Sequence, residues 1–154
     1  MTRTRKVLRI ALFVLGVTAG VFVTTVLVAA SIWLTINEVE TNKSIAYPEL
    51  RTRTYQLGYD RVYDEALGAA KEQKNWAVTG QSRETGIITG QALMPVTGWT
   101  QEITVTVVKK TAFVSQVRTR SAGKDTPGDL GQNARNIEAY QVALDRRLGA
   151  AKVN

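Results

Sequence analysis

The residue types that most often carry enzyme chemistry are either absent from this sequence or found at positions where a structural role explains them. The chain of 154 residues has no histidine and no cysteine, which excludes imidazole and thiol bases, thiol nucleophiles and imidazole or thiolate metal ligands. Acid–base chemistry would then need neighbouring carboxylates, and the close sets are Asp64 with Glu65 and Asp125 with Asp129. The first set falls at a predicted helix start and the second flanks a predicted turn and cap. We therefore expect no enzyme activity, no metal and no cofactor.

A small group of basic and amide residues near the C-terminal end is the candidate binding site. Arg118, Arg120 and Lys124 precede a predicted helix, and Asn133 lies at its start. The free amides of a helix N-terminus carry partial positive charge and can hold a phosphate or carboxylate. These four residues are a candidate anion or partner contact. In the alternative, the arginines pair with neighbouring aspartates and Asn133 bonds the loop backbone.

The positive charge is concentrated at one end of the chain. The formal net charge is +7, but residues 1–9 contribute four cations and no anion. The other sixteen lysines and arginines face all thirteen aspartates and glutamates. A basic stripe of the kind that binds nucleic acid is therefore not expected, and the N-terminal cations are interpreted as a topology signal.

Residues 10–36 form a run of twenty-seven residues without a charged side chain. About twenty apolar residues in a helix cross the roughly 30 Å core of a bilayer. A cleaved signal peptide has an apolar region of only about 7–15 residues, so we predict an uncleaved, single-pass anchor. The cations before the run predict a cytoplasmic N-terminus in the inner membrane, with the remaining chain periplasmic or otherwise extracytoplasmic.

Gly16, Gly20 and Thr24 form a row of small residues within this run. Small residues four apart let a second helix backbone approach closely in a membrane. The row predicts packing against another subunit or against a second copy of the chain. A lipid-exposed groove is the alternative.

The remaining residues predict one small α+β domain, at 49–149, after a linker at 37–48 and before a tail at 150–154. Alternating apolar and polar residues predict strands at 50–57, 76–82, 87–93, 99–108 and 113–120. A helix capped by Asp60 is predicted to end near Asn75, and a second, capped by Asp129 with Gln132 in capping-box position, to end at Gly149. The expected architecture is β-α-β-β-β-β-α, an antiparallel sheet of four to five strands with both helices on its apolar face.

Two short motifs resemble a known family. Arg118-Thr-Arg-Ser121 and Asp129-Leu-Gly-Gln-Asn133-Ala are similar to the last strand and final helix entry of the family catalogued as domain of unknown function 1499. The Tyr47-Pro48 pair and the helix end before Trp76 also resemble it, and the similarity covers about residues 47–148. The loop at 123–127 departs from the family pattern. The resemblance implies a common fold unit and no particular reaction.

Two functions remain open at this level. The first is a non-catalytic accessory subunit that docks on a larger membrane complex, for which an energy-transducing complex is one candidate host. The second is an extracytoplasmic binding module that holds an anionic lipid or a small solute. The single anchor and the missing catalytic residues favour the first.

Overall fold

The computed structural model describes residues 3–95, 97–124, 126 and 128–153, beginning with a long helix. Helix α1 spans Arg3–Thr35, and its side chains from residue 5 to residue 28 are all exposed. It is long and apolar enough to cross a membrane. Thr18, Thr24 and Thr25 donate their hydroxyl hydrogens to backbone carbonyls one turn earlier. Their polar groups are therefore satisfied without water, as an apolar environment requires.

Six strands form one antiparallel sheet after α1. They are β1 (Glu38–Glu40), β2 (Arg53–Tyr55), β3 (Trp76–Ser82), β4 (Ile87–Leu93), β5 (Thr100–Lys109) and β6 (Ser115–Gly123). The strand order is β1-β6-β5-β4-β3, and β2 also pairs with β6. The short strands β1 and β2 thus share one edge of β6.

Both helices of the domain pack on one face of this sheet, as predicted. Helix α2 spans Tyr59–Glu72, and helix α3 spans Gln132–Leu148 and leads into a short 3-10 helix at Gly149–Ala151. Tyr140 and Leu144 of α3 are fully buried between α2 and the sheet. Trp76 stacks on the Tyr140 ring, with the two ring centroids 5.5 Å apart. The α+β architecture is therefore confirmed.

Strand β5 shows why the two sheet faces differ. Its buried residues on the helix side are Gln101, Ile103, Val105 and Val107. The residues between them are polar or charged and face outward; they are Glu102, Thr104 and Thr106. Because side chains alternate between the faces of a strand, this pattern produces one packed face and one polar face.

The segment predicted as a linker at 37–48 is part of the domain. Residues Glu38–Glu40 form β1, which pairs with β6 from Glu38 opposite Ala122 to Glu40 opposite Arg120. Val39 is fully buried against Leu50 and Ile137. The prediction failed because a three-residue segment with two glutamates on one face resembles a solvated segment until a partner strand is present.

Several predicted element ends also differ. The strand predicted at 50–57 is limited to Arg53–Tyr55, and the last strand begins at Ser115 and continues to Gly123. The N-cap of α2 is Gly58, without a side-chain cap from Asp60. No capping box forms at α3, because the Gln132 side-chain amide donates to Asn136 Oδ1 instead of turning back.

Leu144→Ala should lower the free energy of unfolding by about 2–5 kcal/mol, because truncating a fully buried leucine leaves a cavity. Urea unfolding of the full chain in mild detergent measures it, with tryptophan fluorescence as the signal, since Trp76 lies on Tyr140. Glu138→Gln, on the exposed side of the same helix, should stay within about 0.5 kcal/mol of the unsubstituted chain. Equal midpoints for the two variants would mean that the helix faces are assigned wrongly.

Candidate functional site

The four residues predicted as one contact site lie on two sides of the sheet. Arg118 and Arg120 of β6 are on the outer face, where Arg118 lies opposite Thr106 of the neighbouring strand β5. The β6 residues that alternate with these arginines are buried on the helix side of the sheet; they are Val117, Thr119 and Ser121. Asn133 lies on that helix side and is fully buried. The sheet therefore separates both arginines from Asn133.

Arg120 is engaged by an acid from β1. Its Nε and Nη2 donate to Glu38 Oε1 and Oε2 at 2.8 and 2.7 Å, a bidentate pair. The hydrogen bonds from Arg120 lower the pKa of Glu38, and those to Glu38 raise the pKa of Arg120. A lowered carboxyl pKa stabilises the fold above the ordinary glutamate pKa, and this contribution is lost as the pH falls through the lowered value. Arg120 is thus already paired with an internal anion.

Asn133 belongs to a buried polar cluster that we call the polar junction, formed by Asn37, Ser121, Asp129 and Asn133. Ser121 Oγ donates to Asn133 Oδ1 at 2.6 Å, and Asn133 Nδ2 donates to Asn37 O at 3.0 Å. The Asp129 carboxylate accepts from the backbone amides of Gly131 at 2.9 Å and Asn133 at 2.6 Å. Asp129 was predicted as the N-cap, but the N-cap of α3 is Gly131; the Asp129 side chain binds amides at the start of the helix from two residues earlier.

The polar junction holds the residues that directly follow α1. Ile36 O accepts from Asp129 N at 3.2 Å, and Asn37 O accepts from Gly123 N at 2.8 Å. The Asn37 side chain donates to Thr126 O at 2.7 Å and accepts from Thr126 Oγ1 at 2.8 Å. A Cβ at Gly123 would collide with the Asn37 side chain, so this close approach needs glycine. The chain therefore passes from the helix into the domain without a free linker.

The described carboxyl groups considered for catalysis, and the hydroxyl of Ser121 in the polar junction, are used in these and similar contacts. Ser121 Oγ lies between the two amides of Asn133 and Asn136. Asp64 bonds Arg83, and Glu65 bonds Arg61 and Arg147. Asp125, the partner of Asp129 in the second carboxylate set, lies outside the described residues. Across the described part of the chain, no group of three or more acidic side chains is placed to hold a metal ion.

Lys124 and the glycine row occupy exposed positions. The backbone N–H of Lys124 donates to Thr100 O at 3.1 Å, and its side chain is exposed. An added Cβ at Gly16 or Gly20 would meet no atom within 4 Å. Thr24 donates its hydroxyl hydrogen to Gly20 O at 2.9 Å, so it presents its methyl group and a satisfied hydroxyl on this row. The three residues leave a shallow strip along α1 that a second helix can approach.

An open cleft of about 460 Å³ lies between the end of α2 and the start of α3. Trp76 lines it, together with the cations Lys74, Arg135 and Arg146 and the anion Glu72. Glu72 bonds Arg146 at 3.1 Å, which leaves an excess of positive charge. The apolar groove beside Trp76 and Ile103, under the helices, is too narrow to admit water.

The roles of Asn37 and of the loop that contacts it were not predicted from the sequence. One feature of the sequence could have indicated this role, because Asn37 is the first polar residue after the uncharged run. Its hydrogen-bond partners Gly123, Thr126 and Asn133 are 86 to 96 residues away in the chain. No local pattern links residues that distant.

Comparisons with known proteins identify a family and some distant structural similarity. The family model described as "Protein of unknown function (DUF1499)" matches residues 30–144, which include the polar junction. No curated protein matches the chain.

Three solved structures share part of the fold. The di-domain aromatase/cyclase BexL from the BE-7585A biosynthetic pathway is 13% identical with a TM-score of 0.48, and the match covers 75% of this chain and 46% of BexL. A protein from Thermus thermophilus is 15% identical with a TM-score of 0.38, covering 74% of this chain and 98% of that one. The Zhui aromatase/cyclase from Streptomyces sp. R1128 is 16% identical with a TM-score of 0.37, covering 74% and 92%. The chain thus spans less than half the length of BexL, and at these scores the similarity indicates nothing about activity.

Asn133→Ala should lower the free energy of unfolding by about 1–3 kcal/mol, because the buried Ser121 hydroxyl and Asn37 carbonyl lose a hydrogen-bond partner. Urea unfolding of the full chain in detergent measures the change. Asn75→Ala makes the same chemical change at an exposed position and should stay within about 0.5 kcal/mol. Equal costs at both positions would show that the polar junction does not stabilise the domain.

Proposed function

We propose that this chain, which belongs to the DUF1499 family, is a non-catalytic accessory subunit. It is anchored in a membrane by α1 and docks on a larger membrane protein complex. The observation that carries this proposal is the direct bonding of the chain after α1 to the domain, through Ile36 and Asn37. A partner that holds α1 would thereby hold the domain in a defined position.

The surface of α1 supports a role in the membrane. The described side chains of residues 5–28 are all exposed, and none of them is covered by the domain. A continuous apolar surface on that scale needs lipid or another protein to cover it. The strip at Gly16, Gly20 and Thr24 allows the close helix contact by which membrane subunits associate. A neighbouring subunit of another protein, an energy-transducing complex among the candidates, or a second copy of this chain fits the same strip.

The domain supports a structural role for its charged residues. Arg147 bonds both Glu65 and Glu72 and so ties α3 to α2. Arg83 bonds Asp60 and Asp64 and ties the β3–β4 turn to α2. These ion pairs thus join neighbouring elements of the domain.

The alternative function, a binding module for an anionic lipid or small solute, has less support in the form predicted. It needs Arg118, Arg120, Lys124 and Asn133 to converge on one ligand. Arg118 and Arg120 are on the outer sheet face, Asn133 is on the helix side, and Arg120 bonds Glu38. An anion on the outer face would have to displace Glu38.

The membrane placement follows from the cations before the span. The N-terminus is proposed to be cytoplasmic and the domain periplasmic, in the inner membrane of a bacterial envelope. The chain extracted from membranes should keep its full mass of 16.9 kDa, as determined by intact-mass spectrometry. Protease added to spheroplasts should digest the domain. Loss of about the first thirty residues, as expected of a cleaved signal peptide, would refute the anchor, and a protected domain would reverse the topology.

Replacing Gly16 and Gly20 together by leucine should release the chain from its partners, because the added side chains prevent close backbone approach. Affinity purification in mild detergent with mass spectrometry, alongside a differently tagged second copy, measures the loss. Val17→Leu with Val21→Leu, at exposed positions beside the strip, is the matched control and should retain every partner. The binding-module alternative expects the glycine variant to be silent and Arg118→Gln with Arg120→Gln to lose a ligand. Full recovery of partners by the glycine variant would contradict helix docking.

A further inference from the structure

The end of the domain that joins α1 is a row of strand ends connected by hydrogen bonds. Asn37 O accepts from Gly123 N at the end of β6, and Lys124 N donates to Thr100 O at the start of β5. Because β1 follows α1 within three residues, these strand ends lie at the level where the chain leaves the helix. The row therefore marks the end of the domain nearest to α1.

The same row continues to the far edge of the sheet. Leu93, the last residue of β4, pairs with Thr100, and its N–H donates to Asn75 O at 2.9 Å just before β3. The turn after Leu93 is closed by a bond from Met94 N to Trp99 O at 2.8 Å. The opposite end, at the β5–β6 turn, is about 30 Å away along the ten residues of β5.

The side chains at the near end combine apolar and cationic groups, and we call them the anchor-end surface. They are Lys74, Leu93, Trp99, Lys124 and Leu130. Leu93 is 54% exposed and Leu130 is 41% exposed, while Trp99 is half-buried and both lysines are exposed. Leu130 follows Asp129, whose N–H bonds Ile36 O, so it too lies close to the end of α1.

Most of the described acids near this surface are engaged with other groups. Glu38 bonds Arg120, Glu72 bonds Arg146 and Arg147, and Asp129 accepts from backbone amides, while Glu102 on the outer sheet face forms no ion pair within the described residues. In the described part of the chain, neither Lys74 nor Lys124 forms an ion pair. The anchor-end surface therefore presents two unpaired cations beside exposed leucines.

The length of the span sets the level of this surface. Twenty-seven uncharged residues extend about 40 Å as a helix, against roughly 30 Å of bilayer core and about 40–45 Å with the headgroups. Ile36, the last apolar residue of the run, then lies at headgroup level. Asp129 and Gly123, each one hydrogen bond away from residues 36 and 37, lie at nearly the same level.

We propose that the anchor-end surface rests on the lipid headgroup layer of the bilayer that contains α1, with a preference for anionic lipid. Lys74 and Lys124 contact lipid phosphates, Trp99 takes the interfacial position that suits its ring, and Leu93 and Leu130 insert shallowly. The anchor keeps this weak contact at high effective concentration. The inference rests on the proposed function in one respect, since it requires α1 to span the membrane.

The absence of cysteine allows single spin labels on the full chain in nanodiscs of phosphatidylglycerol or phosphatidylcholine. Label positions are Val21→Cys within α1, Thr97→Cys in the β4–β5 turn, and Phe113→Cys at the far end of the sheet. Collision with a water-soluble nickel reagent and with oxygen measures the depth of each label. We expect the label at position 21 to lie at the bilayer centre, the label at position 97 to lie at headgroup depth, and the label at position 113 to be fully exposed to water. Position 97 should lie deeper in phosphatidylglycerol.

Charge removal tests the lipid contact itself. Lys74→Gln with Lys124→Gln should lower the ratio of docked to undocked domain about fivefold per lysine on an anionic surface, and salt should do the same. Lys109→Gln with Lys110→Gln makes the same change at the far end of the sheet and should leave the label at position 97 unchanged.

The outcomes separate the two proposals. If position 21 lies in the bilayer and position 97 is as water-exposed as position 113, the headgroup contact is overturned and the anchor stands. If position 21 is itself water-exposed, the anchor fails. If position 97 is protected in native membranes but not in pure lipid, the surface contacts a protein and the lipid assignment is overturned.

Discussion

The arrangement of this protein depends on how the backbone is satisfied where it leaves α1. A helix end leaves carbonyl groups without intrahelical partners, and polar backbone groups need partners wherever water is excluded. Here the residues after the helix find theirs within the domain: Asp129 N bonds Ile36 O, while Gly123 N and the Asn133 side chain bond Asn37 O. The same contacts close the β6–α3 loop. The junction is therefore part of the domain fold.

This constraint also determines which charges remain available to a partner. Because β1 must pair with β6 to continue the junction, it brings Glu38 beside Arg120. An arginine that the sequence presents as a free cation is thereby neutralised, and the lowered pKa of Glu38 reflects the pairing. The positive charge that remains without an ion pair includes Lys74 and Lys124, at the end of the sheet nearest to α1. Arg118 also forms no ion pair in the described part of the chain, so available cations lie both on the outer sheet face and at the end nearest to α1.

The buried polar groups of the junction specify one arrangement of α3. Ser121 bonds both Asn133 and Asn136 under the helix start, and the Asp129 carboxylate satisfies two amides there. Satisfied buried networks favour a unique packing because any other register leaves polar groups unpaired. The apolar cluster of Val39, Leu50 and Ile137 covers this network. Together they explain why a short, largely acidic strand is held at the sheet edge.

The sequence by itself determined the elements that depend on local or periodic patterns. The uncharged run predicted α1, and the alternation of apolar and polar residues predicted a sheet with one polar face. These predictions succeeded because period and composition are properties of neighbouring residues. The tertiary structure alone decided that 38–40 is a strand, that Arg118 and Asn133 lie on opposite sides of the sheet, and that Asn37 is bonded to residues 86 to 96 positions later. Each of these depends on pairing between distant segments, and a short polar segment takes its conformation from the partner that satisfies its backbone.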